Sequence, residues 1–135
     1  MEKPSKKQVI VMRTDLNMRR GKQIAQGAHS SLKAILDQGG VIETPGEQCD
    51  FYCIPLSDHI NYWLTSNFKK ITVQAPDEQT LFDVVEQAKA ANIPYALILD
   101  SGLTEFGGIP THTCCAIGPA DDEIINAITG SFKLL

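Results

Sequence analysis

Apolar and polar positions alternate along the chain in two periods, one of strands and one of helices. The run in Lys6–Arg13 (KKQVIVMR) is β-branched and predicts a buried strand. Residues 14–20 are a loop, and a helix opens at Arg20 or Gly21 and runs to about Asp37, where Gly39 and Gly40 stop it. Residues 41–57 have no clear period and are broken by Pro45, Gly46 and Pro55. An extended piece is expected at 50–54 and a short helix at 58–66. Lys70–Ala75 reads as a second strand. Asp77 is an N-cap for a helix over 77–91 whose inward face is Leu81, Val84, Val85 and Ala88. Residues 95–99 are apolar throughout, which predicts a central strand covered on both sides, with Asp100 at its end. A glycine-rich loop over 101–110 leads to a strand over 111–117. Gly118 and Pro119 turn the chain, Asp121 caps, and a last helix over 123–129 turns Ile124, Ile125 and Ile128 inward. The tail SFKLL is apolar enough to pack.

This order predicts a single-domain α/β sandwich. The sheet should be mixed, because only a loop joins the strands that start near Tyr95 and Thr111. At 135 residues, with 43% hydrophobic and 21% charged positions, the chain is long enough for a core. No apolar run approaches a membrane span, and VIVM is too short for a signal-peptide core, so a cytoplasmic address without membrane contact is expected.

The first helix carries more than a packing pattern. Lys22, Gln26, His29 and Lys33 fall in one polar stripe, beside an apolar stripe of Ile24, Ala25, Ala28, Leu32, Ile35 and Leu36. The apolar stripe is expected to face the core, which puts the polar one at the shoulder of a cleft. A plain solvated helix face is the alternative. Charge sharpens the picture. Residues 1–33 hold eight basic against two acidic residues, and the remainder four against fourteen. A basic face on an acidic body suits a local polyanion contact, and a solubilising Lys-rich start is the simpler reading. Tyr62 and Trp63 are either core residues or a stacking surface for a base.

Familiar chemistries drop out. Cys49, Cys53, Cys114 and Cys115 lack zinc spacing, and neighbouring cysteines on a strand point to opposite faces, so free buried thiols are expected. RTDLNMRRGK ends in Gly-Lys, but Leu16 stands where a Walker loop needs glycine and Gln23 where it needs Ser or Thr. No G-x-G-x-x-G or G-x-S-x-G occurs. What remains near the strand ends is Lys22, Gln26, Asp100 and the threonines Thr104, Thr111 and Thr113, a set suited to hydrolysis by activated water with neither metal nor cofactor.

The sequence resembles the type 2 peptidyl-tRNA hydrolases, the archaeal and eukaryotic class. The matching stretches are KQVIVMRTDL, GKQIAQGAH, APDEQTL, DSGLTE, T-x-T into AIGP, and ITGSFKLL, in the family's order. The resemblance covers nearly all of the chain except roughly residues 41–67, which look like an atypical insertion. Residues 1–6 would be a flexible tail.

The resemblance implies a three-layer sandwich, a four-stranded mixed sheet with helices on both faces, and often a homodimer. It implies hydrolysis of the ester between peptide and tRNA. Carried over by position, Lys22, Gln26, Asp100, Thr104 and Thr113 would be catalytic, with His29 matching the family's histidine. Arg13, Arg19, Arg20, His29 and Lys33 would bind substrate, the basic residues along the acceptor stem. A non-catalytic RNA-binding adaptor is the alternative, and a small-molecule esterase a third. The departures are Arg19-Arg20 before the Gly-Lys pair, Ile24 in the A-A-Q motif, Leu99 before the key aspartate, and a loop before Thr113 that looks one residue longer.

Overall fold

A computed structural model describes residues 4–135; residues 1–3, in the expected tail, lie outside the described residues. The chain runs β1 (Lys6–Arg13), α1 (Arg20–Leu36), β2 (Gly40–Ile42), β3 (Phe51–Cys53), α2 (Asp58–Thr65), β4 (Lys70–Ala75), α3 (Glu78–Ala90), β5 (Tyr95–Asp100), β6 (Thr111–Asp121) and α4 (Asp122–Thr129). Four strands form one mixed sheet in the order β4-β1-β6-β5. β1 pairs parallel with β4 and antiparallel with β6, and β5 pairs antiparallel with β6. β2 and β3 form a separate hairpin.

Helices cover both faces, so β1 can be apolar on both sides. Val9 and Val11 join Val73, Leu81, Val84, Ile117 and Ile125 under α3 and α4. Ile10 and Met12 join Ala34, Ala96, Ile98, Cys114 and Ala116 under α1. Cys114 and Cys115 thus point to opposite faces, as their adjacency predicts, and burial pushes the Cys114 thiol up to about 11. Cys49 and Cys53 are exposed, against the expectation of burial. Asp77 caps α3, accepting from the Thr80 amide at 2.9 Å.

Four further expectations are corrected. First, most of the apolar stripe of α1 faces outward, only Ile35 of it being buried. Ile24 is 68% and Leu32 59% exposed, and Ala25 and Ala28 are exposed too. The buried face is Gln26, Gly27, Ser30, Ser31, Ala34 and Ile35. Hydrogen bonds fix this rotation: Ser31 Oγ donates to the buried Gln8 Oε1 at 2.5 Å, and Gln26 is bonded to the far strands. Second, β5 is an edge strand, not a central one. Third, β6 does not stop at 117 but runs to Asp121. A register shift between Lys7 and Val9 of β1 lies opposite Gly118 and Pro119, so the proline's missing N–H breaks no ladder bond. Asp121 makes no side-chain cap to α4 and instead accepts from Lys6 Nζ. Fourth, Lys6 belongs to no loose tail: it opens β1 and is buried. Of the two readings of Trp63 the core one holds: it packs with Ile35 and Ile60 while its Nε1 donates to the Lys69 carbonyl at 2.8 Å.

The tail packs as expected through Phe132. It also lies along β4: the Gln74 amide donates to the Lys133 carbonyl, and the Leu135 amide to Thr72.

Candidate active site

β5 ends at Asp100 beside the start of α1. Lys22 and Gln26, one turn apart on α1, both reach it. Lys22 Nζ donates to Asp100 Oδ1 at 2.8 Å and to Thr104 Oγ1 at 2.7 Å. Gln26 Nε2 donates to the same carboxylate oxygen at 3.3 Å. Thr113 Oγ1, on β6, donates to Gln26 Oε1 at 2.5 Å. The five residues therefore form one chain of contacts: Thr104, Lys22, Asp100, Gln26, Thr113.

The loop after β5 is shaped to close it. Gly102 has φ +81°, and a Cβ there would lie 2.1 Å from the Ile109 carbonyl oxygen, so glycine is required. Its amide donates to Asp100 Oδ2 at 2.9 Å. Both carboxylate oxygens are thus occupied by donors. The Lys22 hydrogen bond, helped by the Gly102 amide and Gln26, holds the Asp100 carboxyl below its ordinary range, against the opposing effect of desolvation. Asp100 is a fixed anion at neutral pH.

The five residues differ in access. Lys22 and Asp100 are each mostly covered but still reach the surface, whereas Gln26 and Thr113 are buried behind them. Thr104 is exposed. The Phe106 ring lies 5.8 Å from Lys22 Nζ.

The expected substrate-binding residues scatter. Arg19 is 90% exposed beside Glu105, and Arg20 is exposed next to it, both at the start of α1. Arg13 is elsewhere: its guanidinium is bonded twice to Asp15 and once to the His112 carbonyl, and lies 3.9 Å from Glu78 at the start of α3. His29 is exposed on the Lys22 stripe. Lys33 lies further along it and pairs with Asp37 at 3.0 Å. Gly102 was missed as a donor to Asp100, although its place between Asp100 and Thr104 in DSGLT is a readable signal. Among the described residues, no group of three or more His, Cys, Asp or Glu is placed to hold a metal ion, and no helix is long and apolar enough to cross a membrane.

The sequence model of the family Peptidyl-tRNA hydrolase PTH2 matches residues 6–135, which contain every residue of this cluster. The chain belongs to that family. It is a hydrolase acting on peptidyl-tRNA. Named peptidyl-tRNA hydrolases similar to it come from Haloquadratum walsbyi, 40% identical over 95% of this chain and 98% of that one, and Thermococcus onnurineus, 37% identical over 96% and 97%. One from Methanocaldococcus jannaschii is 36% identical over 96% of this chain and 99% of that one. A solved protein of unknown function from Agrobacterium tumefaciens, with TM-score 0.55 and 15% identity over 96% of this chain and 97% of that chain, shares the fold.

Proposed function

We propose that the peptidyl-tRNA ester is cleaved over Lys22 and Asp100, by attack of water on the ester carbonyl. The observation that carries this reading is the carboxylate shared by Lys22 and Gln26 at a strand end that is open to solvent. Lys22 Nζ stabilises the oxyanion that develops on the carbonyl oxygen. Asp100 holds Lys22 in place and orients the water. Its lowered pKa makes it a weak proton acceptor, which favours orientation over proton abstraction. The water oxygen bonds to the carbonyl carbon, the bond to the ribose oxygen breaks, one of the water's protons ends on that oxygen and the other is released to solvent as the new carboxyl group ionises. The products are a peptide carboxylate and free tRNA.

Thr104, on the exposed loop, is suited to hold the water or a ribose hydroxyl. Gln26 and Thr113 are positioning residues, since they reach the substrate only through Asp100. Arg19 and Arg20 fit a contact with the phosphates of the acceptor end, near the start of α1. Arg13 acts on the fold, tying β1 to β6 through the His112 carbonyl.

The whole chain works as one domain, in the cytoplasm and without a metal or cofactor. Residues 41–67 are an addition that carries the hairpin and α2. A homodimer goes with this reading, supported by the apolar cleft of about 650 Å³ between Ile24, Trp63, Leu64 and Phe68; sedimentation would test it.

The test is single-turnover hydrolysis of one defined peptidyl-tRNA. Lys22→Ala should lower the rate roughly 10²-fold or more, and Lys22→Arg should not restore it, because a planar guanidinium cannot reproduce the two contacts of the ammonium. Near-wild-type turnover in Lys22→Ala would remove the oxyanion role. Wild-type protein that binds peptidyl-tRNA without cleaving it would favour the adaptor reading. EDTA should leave the rate unchanged once tRNA folding is controlled; a loss reversed specifically by zinc would overturn the metal-free reaction.

A further inference from the structure

The two edges of the sheet are treated differently. At β4 the chain's own tail lies along the strand. At β5, among the described residues, no backbone hydrogen bond from outside the sheet reaches residues 95–99. Every second residue of such an edge turns its N–H and C=O away from β6, unpaired. The edge is also apolar, with Leu99 57% exposed immediately before Asp100. A cleft of about 660 Å³ runs along it, between Leu97–Leu99 of β5, Ala28, His29 and Leu32 of α1, and Tyr52 of the hairpin. Its β5 wall ends at Leu99, next to Asp100, and its α1 wall starts at Ala28 and His29, about two turns beyond Lys22.

We propose that this cleft takes the peptide part of the substrate, as an extended strand added to the free edge of β5. The assignment rests on ester cleavage at Lys22 and Asp100, and the direction follows from that chemistry. The ester carbonyl is the peptide's C-terminal carbonyl, so that end lies at Asp100. The rest of the peptide runs back past Leu99 and Leu97, which makes it parallel to β5. Main-chain pairing is blind to side chains, so such an edge holds a peptide with little regard to its sequence. The apolar walls add contact area without selecting one residue. Length is limited. From Lys22 to Lys33, α1 rises about 16 Å, which an extended peptide at about 3.3 Å per residue spans with four or five residues. Leu99 and Leu32 are thereby peptide-binding residues, and the stripe beyond Gln26 serves the peptide rather than the tRNA.

The experiment compares kcat/KM for one tRNA esterified to N-acetylated oligoalanine of one, two, three, four and six residues. Wild type should gain about tenfold from one to four residues and then level off. Leu99→Gln and Leu32→Gln, both at exposed positions, should flatten that length dependence. N-methylation at one of two adjacent peptide amides should cost several-fold and at the other little, because only alternate amides face β5. Equal kcat/KM for one and six residues in wild type would overturn the cleft while leaving the cleavage site standing. Equal sensitivity of the two amides would overturn the pairing to β5. Failure to hydrolyse any substrate in the series would overturn the site and the cleft together.

Discussion

The two faces of the sheet are built from different chemistry. Under α3 and α4 the buried residues are aliphatic, with Leu81, Val84, Ile117 and Ile125 filling the space. Under α1 the aliphatic contacts are interrupted by Gln8, Gln26, Ser30, Ser31 and Thr113, all buried. The first face is held by area removed from water, which is non-directional. The second is held by hydrogen bonds, which contribute less each but dictate position. Gln8 alone binds the Ser31 carbonyl, the Gly118 carbonyl and the Ser31 hydroxyl. The proposed active site sits on the second face. Stability and placement are thus separated across one sheet.

Substitutions on the two sides should break this contrast in different ways. The largest stability loss is expected from Leu81→Ala, at about 2–5 kcal/mol for a fully buried leucine. Denaturant melts should show it, while the protein that remains folded keeps its turnover per molecule. Thr113→Val is nearly isosteric but leaves Gln26 Oε1 without its donor, for about 1–3 kcal/mol. There kcat should fall as well, because Gln26 no longer holds Asp100. If Leu81→Ala lowers kcat and Thr113→Val does not, the contrast between the faces is wrong.

The smallest effect is linked to pH. Asp100 titrates below its ordinary range in the folded state and near 4 when unfolded. Its contribution to stability is therefore complete above about pH 4 and fades as pH falls through the folded value. Asp100→Asn should remove that part of the acid dependence. An unchanged acid limb in the variant would show that the Lys22 pair adds nothing to the fold.

Much of this was readable from residue order, and the failures share a cause. Lys22 and Gln26, four apart, had to share a helix face, and Asp100 had to end a strand. The rotation of α1 was not readable. Periodicity pointed Ile24 and Leu32 inward, but the partners that decide, Gln8 and Thr113, lie on other strands. The place of β5 failed for a related reason. Helices α1 and α3 cover its two faces, so its sequence is as apolar as a central strand's, and covered faces say nothing about a bare edge. At Gly118-Pro119 a turn signal was read correctly as chemistry but wrongly as an end, because the shifted register of β1 accommodates it.

Gln26 gives the polar face one more property. Its carboxamide bonds at once to the strand end that carries Asp100 and to Thr113, so it latches the helix at the angle the chemistry needs. A chain that docked α1 by its more apolar stripe would hide Ile24 and Leu32 and swing Lys22 away from Asp100. Such a misassembled molecule would be inert rather than indiscriminate. On the proposed chemistry, the amide that aligns Lys22 with Asp100 also makes cleavage depend on the seating of the helix.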